Sequence, residues 1–295
     1  MKVALVDVDG HNFPNLALMK LSAWHKANGD EVEWYDPLFS RPDRIYASKV
    51  FTYTPDYPYF PRFADITRGG TGYDATVSLP NDIESTLPDY TIYPQYKEAY
   101  GFLSRGCVRN CPWCVVPRKE GRIRAVSDVE RIAQERRDVI LMDNNFLAND
   151  PSFVEDQLGK AKRLGLRLDF NQALDARLVT DRNARLLAAT RWINRRVRFA
   201  CDTLGMINPC LDAMDLMRRS GFKGEFMVYV LARDVETALE RIIKLADHDR
   251  LAVPFCQPFR DFSGKTEIDP DLARLARWCN RVEIRKTVKW DDYKR

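Results

Sequence analysis

From about residue 98 onward, apolar and polar positions follow one rhythm: a short apolar run, a polar junction, then a segment with helical period. The apolar runs are Ala99–Leu103, Val139–Met142, Leu166–Phe170, Val197–Ala200, Phe226–Leu231 and Leu251–Phe255. Short apolar runs bounded by turn residues read as buried strands. The stretches between them carry helix-start signals. Ser127 with Glu130 forms a capping box, and Asp150-Pro151, Asn208-Pro209 and Asp269-Pro270 each set a capping side chain before a first-turn proline. Strand and helix in strict alternation predict an α/β fold with a parallel sheet, because parallel neighbours need a crossover of helical length. Such a sheet closes as a barrel or stays open and doubly wound.

In both cases the polar residues just past each strand gather at one rim, the face where α/β proteins bind ligands. That rim collects Cys107, then Asp143, Asn144 and Asn145, then Asn171, Gln172 and Asp175. Cys201 and Asp202, Arg233, and Gln257 with Arg260 complete it. Asn and Asp are also ordinary turn and cap residues, which accounts for about half of this set.

Residues 1 to 95 read differently. Lys2–Val8 is a buried strand, Pro14–Ala27 a helix with Leu16, Met19 and Ala23 on one face, and Glu31–Tyr35 a second strand after the Gly29 stop. A strand around Tyr46–Phe51, an aromatic loop from Thr54 to Arg62 and a Gly69-Gly70-Thr71-Gly72 turn follow. The segment predicts a small Rossmann-like lobe. Its glycine run lacks both the GxGxxG spacing and the P-loop lysine, so it is a weak phosphate-loop candidate. A linker at Leu87–Tyr96 sets the expected boundaries: a lobe over 1–95, the main α/β domain over 96–260 and a helical tail over 261–295.

The 295 residues, 45% hydrophobic and 30% charged, exclude a disordered chain or a small stapled scaffold. A net charge of +4, from 46 basic against 42 acidic residues, names no partner. No apolar run is long enough to cross a bilayer, and Asp7 and Asp9 stand where a secretory signal is apolar. No membrane association and a cytoplasmic setting are the expectation. The seven cysteines are odd in number, which argues against a disulfide framework. Cys201, Cys210, Cys256 and Cys279 are scattered and read as small buried hydrophobes.

The remaining three form Cys107-Val-Arg-Asn-Cys111-Pro-Trp-Cys114, a CxxxCxxC directly after the first strand of the array. Three thiolates on one loop select zinc, copper(I) or an iron-sulfur cluster. Structural zinc takes four ligands, and neither a histidine nor a fourth cysteine is near in sequence. A 4Fe-4S cube on three cysteines keeps one iron open.

This motif, its position and the strand-helix rhythm resemble the radical S-adenosylmethionine superfamily, whose CxxxCxxC carries an aromatic residue before the last cysteine. Trp113 fills that place. The stretch Ser104-Arg105-Gly106-Cys107 through Cys114-Val-Val-Pro-Arg-Lys-Glu-Gly121 is closest to the branch holding cobalamin-domain enzymes and methylthiotransferases. The resemblance covers roughly residues 97 to 260 and implies a partial (β/α)6 barrel. It implies that Cys107, Cys111 and Cys114 hold three irons of a 4Fe-4S cluster. S-adenosylmethionine would chelate the fourth iron and be cleaved reductively to a 5'-deoxyadenosyl radical that takes hydrogen from a substrate. A reductant such as flavodoxin or ferredoxin is the implied partner. Trp113 is expected near the adenine, Asp143 and Asn144 near the methionyl amine, and Asp202 near the ribose hydroxyls.

Two departures narrow the branch. Residues 1–95 hold no cysteine for a second cluster, which speaks against methylthiotransferase activity. In the lobe, Asp9-Gly10-His11 starts like a cobalamin Asp-x-His-x-x-Gly motif but reaches Pro14 where glycine is expected, so cobalamin is not expected. An iron-sulfur electron carrier and a zinc-stabilised nucleic-acid module remain the alternatives. Arg118, Lys119, Arg122 and Arg124 after the loop, Arg195, Arg196 and Arg198 around the fourth strand, and Arg218 with Arg219 leave a nucleic acid or nucleotide open as substrate.

Overall fold

Strand β1 (Lys2–Asp7) is buried from Val3 to Asp7, as an unbroken apolar run must be when both faces of a parallel sheet are covered. The structure is a computed structural model describing residues 1–10, 12–261 and 267–293. The chain divides into two compact units, residues 1–97 with Asp261, and residues 98–260 with 267–293.

In the first unit, helix α1 (Leu16–Ala27) follows β1 and is capped by the Asn15 side chain, which accepts from the Leu18 amide at 3.3 Å. Strands β2 (Glu31–Trp34), β3 (Arg44–Ser48) and β4 (Asp65–Gly69) complete a parallel sheet of order β2-β1-β3-β4, and a short helix α2 (Asn81–Glu84) follows. Val3, Leu5, Leu18 and Leu21 pack on one face, Ala4, Val6, Ile45 and Ala47 on the other. The third strand lies earlier than the expected Tyr46–Phe51, because the Asp9 carboxylate draws the Val50 and Phe51 amides into a turn.

The second unit opens with β5 (Ala99–Gly101). A two-residue antiparallel pair, β6 (Ser104–Arg105) and β7 (Arg124–Ala125), then brackets the cysteine loop and helix α3 (Val116–Glu120). The alternation runs α4 (Val129–Ala133), β8 (Asp138–Leu141), α5 (Pro151–Arg163), β9 (Arg167–Phe170), α6 (Asp181–Ala189), β10 (Arg191–Trp192) and β11 (Arg196–Ala200). It continues with α7 (Ile207–Arg219), β12 (Glu225–Ala232), α8 (Val235–His248) and β13 (Ala252–Pro258). All pairings in the sheets β10-β9-β8-β5 and β11-β12-β13 are parallel, which makes the unit α/β with parallel sheets. Between the two sheets a single parallel bridge, Leu174 with Phe199, continues the order from β9 to β11.

Asp150 and Asp269 cap their helices as the sequence suggests. At α4 the cap is Asp128 rather than Ser127, and Asn208-Pro209 lies inside the first turn of α7, where a proline is tolerated. Helices α9 (Pro270–Asn280) and α10 (Val282–Thr287) follow β13. Leu272, Leu275, Trp278 and Cys279 of α9 join the core that begins at Ala99, so this segment packs as part of the second unit. No helix among the described residues is long and apolar enough to cross a membrane.

Candidate metal centre at the strand ends

The cysteine loop is pinched at its base. The Cys107 amide donates to the Gly121 carbonyl at 3.1 Å, and Gly106 and Gly121 both take positive φ. A Cβ on Gly106 would sit 2.3 Å from the Arg122 carbonyl oxygen, so only glycine permits this approach. Glu120 ties the two sides together: its carboxylate accepts from Arg105 at 2.8 Å, from the Gly106 amide at 3.3 Å and from Asn144 Nδ2 at 2.9 Å.

Cys107 and Cys111 are half-buried and Cys114 is exposed, whereas the other four cysteines are buried. Burial pushes the Cys111 thiol up, against the Arg177 cation and together with repulsion from Cys107. Cys114, exposed as a residue, has a thiol that is partly desolvated and raised for that reason, with Cys111 and Cys107 adding to the effect. The three thiols are thus electrostatic neighbours. Among the described residues, no three His, Cys, Asp or Glu side chains stand as ligands of a single ion. Cysteines on separate irons of a cluster stand farther apart than ligands of one ion.

Side chains from successive strand ends close around this loop. After β9, Asp175 accepts from Arg109 Nε at 3.1 Å, from Arg177 Nε at 2.7 Å and from Asn145 Nδ2 at 3.4 Å. Burial would raise Asp175, yet Arg177 and Arg109 hold it below the usual carboxylate range. After β11, burial raises Asp202 despite the nearby Leu231 amide and Trp113 indole and the Arg241 and Arg177 charges. Arg233, after β12, lies over the Trp113 ring with its guanidinium 4.4 Å from the centroid. Arg109 and Trp113 are loop residues, so Asp175 holds one side of the cysteine loop and Arg233, with Asp202 nearby, covers the other.

Compared with known proteins, the chain matches no family model and no curated protein.

Trp113, expected near the adenine, and Asp202, expected near the ribose, stand beside one another. Asp143 has no exposed surface; its carboxylate accepts from the Leu103 and Ser104 amides at 3.0 and 2.6 Å and from the Ser104 hydroxyl at 2.6 Å. Burial pushes it up to about 6 against those donors. Its oxygens therefore fix the strand leading into the cysteine loop and do not offer an acceptor to an amine. Asn144 donates into the loop base through Glu120. The acceptor that stands without a partner is next in sequence: Asn145, 3% exposed, has a buried Oδ1 with no donor. Its Nδ2 donates to Cys107 Sγ at 3.4 Å, and the Arg109 amide donates to the same sulfur at 3.3 Å. N–H···S bonds are a feature of cluster thiolates, and with three thiols on one loop the donor set fits an iron-sulfur cluster.

Several basic residues considered for phosphate contact have partners of their own. Arg198 pairs with Asp169 at 2.6 and 2.7 Å and donates to the Tyr229 hydroxyl at 2.9 Å. Arg196 pairs with Glu225 and Arg218 with Asp249, both at 2.6 Å. Tyr229, Arg198 and Met227 lie on the half-buried face of the sheet, opposite the core-facing Phe226, Val228 and Val230. Arg241 is 1% exposed and donates to the Cys201 and Leu231 carbonyls at 2.9 and 3.0 Å, joining the ends of β11 and β12. Cys256 is pushed up to about 12 and Cys279 to about 11, both by burial, and Cys210 is raised by its hydrogen bond to Cys201 and by burial. These four thiols pack as small apolar side chains.

In the first unit the glycine run has a steric explanation. A Cβ on Gly70, at φ +92°, would lie 2.3 Å from the Lys49 carbonyl oxygen, and one on Gly72 would lie 2.7 Å from the Phe51 carbonyl oxygen. The Asp9 carboxylate is engaged by the Val50 and Phe51 amides and the Thr54 hydroxyl. His11, the histidine of the partial cobalamin motif, lies outside the described residues.

Proposed function

We propose that the protein is a radical S-adenosylmethionine enzyme whose second unit is a partial (β/α)6 barrel. The observation that carries this reading is the placement of the CxxxCxxC loop: it follows the first parallel strand and is gripped by side chains from the ends of later ones. Cys107, Cys111 and Cys114 would hold a 4Fe-4S cluster. When bound and reduced, such a cluster supplies the electron that cleaves S-adenosylmethionine at the open iron.

The chain's own residues prepare the place. Asp175, with Arg109 and Arg177, holds one side of the loop, and Arg233 over Trp113, with Asp202 beside it, covers the other. Asn145, beside Cys107, carries a buried carbonyl oxygen that has no donor in the structure. The half-buried sheet face bearing Arg198 and Tyr229 is the proposed substrate side, with a flavodoxin- or ferredoxin-type reductant as electron source.

Anaerobic reconstitution with iron and sulfide tests the reading. The expected result is a brown 4Fe-4S chromophore and 5'-deoxyadenosine released from S-adenosylmethionine on reduction, both lost in Cys111→Ser. Intact S-adenosylmethionine over a fully loaded, reduced cluster would overturn it.

A further inference from the structure

Cys107 is the one cysteine of the loop whose sulfur receives two N–H donors in the structure. One is the Arg109 amide at 3.3 Å, part of the loop itself. The other is Asn145 Nδ2 at 3.4 Å, brought from the end of β8, 38 residues away in sequence. Asn145 is 3% exposed and its Nδ2 is held a second time by Asp175 at 3.4 Å. This environment fixes which way the amide faces. Flipped, its oxygen would meet the Asp175 carboxylate and the sulfur, both acceptors when Cys107 is ionised. Asp175 is in turn anchored by Arg109 and Arg177. The network runs loop to strand end and back to loop, so the Asn145 donor and the Cys107 sulfur are positioned together.

A hydrogen bond to a cluster thiolate withdraws charge from the sulfur and favours the state with the extra electron. We propose that Asn145 sets the reduction potential of the cluster through Cys107, with Asp175 as the residue that aims it. The inference rests on the cluster reading above and adds a residue that determines how readily the centre accepts its electron. Neither the cysteine spacing nor the Trp113 position points to it. Asp143, two positions before, has its carboxylate turned wholly onto Leu103 and Ser104.

The test is an electron paramagnetic resonance redox titration of the reconstituted full chain without S-adenosylmethionine. Asn145→Leu removes the donor, and Asn145→Asp removes it at constant shape while placing a carboxylate beside the sulfur. Both variants are expected to load iron and to titrate at more negative potential than wild type, Asn145→Asp the further of the two. Asn149→Ala serves as control, since Asn149 lies in the same post-β8 turn and bonds only the Phe146 carbonyl; its potential is expected to stay at the wild-type value. A loaded Asn145→Leu with wild-type potential, or a control shifted equally, would overturn the inference and leave the functional reading standing. A wild-type chain that assembles no cluster would overturn the functional reading, and this inference with it.

Discussion

Both units are parallel α/β structures with carboxylates at their strand ends, and they use those carboxylates in opposite ways. In the first unit Asp9 gathers the amides of Val50 and Phe51, and Gly70 and Gly72 let the chain close against Lys49 and Phe51. There the strand-end polar groups and the glycine run serve the lobe's own turns. In the second unit Asp175 grips, and Asp202 stands beside, a loop whose three thiols are only partly covered. Density of polar residues at a rim therefore does not make a site. A reactive side chain that the rim positions without burying does.

One pair of substitutions tests this contrast with the largest expected effect. Gly70→Ala and Gly106→Ala meet the same obstacle, a backbone oxygen 2.3 Å from the new Cβ at a residue with positive φ. Each is expected to lower stability by about 2–4 kcal/mol in urea denaturation. Gly106→Ala should in addition lose iron on reconstitution, whereas folded Gly70→Ala should load like wild type. Equal iron content in the two variants would break the comparison.

A smaller effect concerns buried carboxylates. Burial pushes Asp7 up to about 6, against the hydrogen bond from the Tyr93 hydroxyl. Below pH 4 the group is protonated in the folded and unfolded chain alike. Between roughly pH 4 and 6 the folded state binds more protons, so stability falls as pH rises through this window. Asp7→Asn keeps an acceptor for Tyr93 and removes the titration. Urea midpoints should match wild type near pH 4 and exceed it above pH 6 by about 1–3 kcal/mol. Asp143, also pushed up to about 6, carries the same sign, so part of the slope should persist in the variant. An unchanged slope would show that Asp7 does not titrate in this window.

The smallest effect is at Trp113. Trp113→Phe keeps a ring beneath Arg233 but removes the indole N–H beside Asp202, a change worth about 1 kcal/mol. Chelator-driven iron release should quicken roughly fivefold, with urea stability of the metal-free chain changed by no more than about 1 kcal/mol.

The strand-helix order was legible because buried parallel strands are continuous apolar runs, and Val139, Val197 and Phe226 all fall inside strands. Strand β4 was not, since Asp65–Gly69 is a polar edge whose pairing with β3 leaves no apolar signature. The cysteines were legible from spacing alone. Their supports were not: Arg109 and Asp175 are 66 positions apart and meet through strand order, which composition does not encode. Asp143, Asn144 and Asn145 look equivalent in a sequence. Only packing separates the first, sealed onto Ser104, from the last, turned to Cys107.

The bridge between Leu174 and Phe199 and the ion pair of Arg198 with Asp169 join the two sheets of the second unit at a seam. Asp175 belongs to the β9 side of that seam and Asp202 to the β11 side. The loop reaches both, through Arg109 bonded to Asp175 and Trp113 beside Asp202, so it spans the seam between the two sheets. A group binding all three sulfurs would add a further tie across that seam.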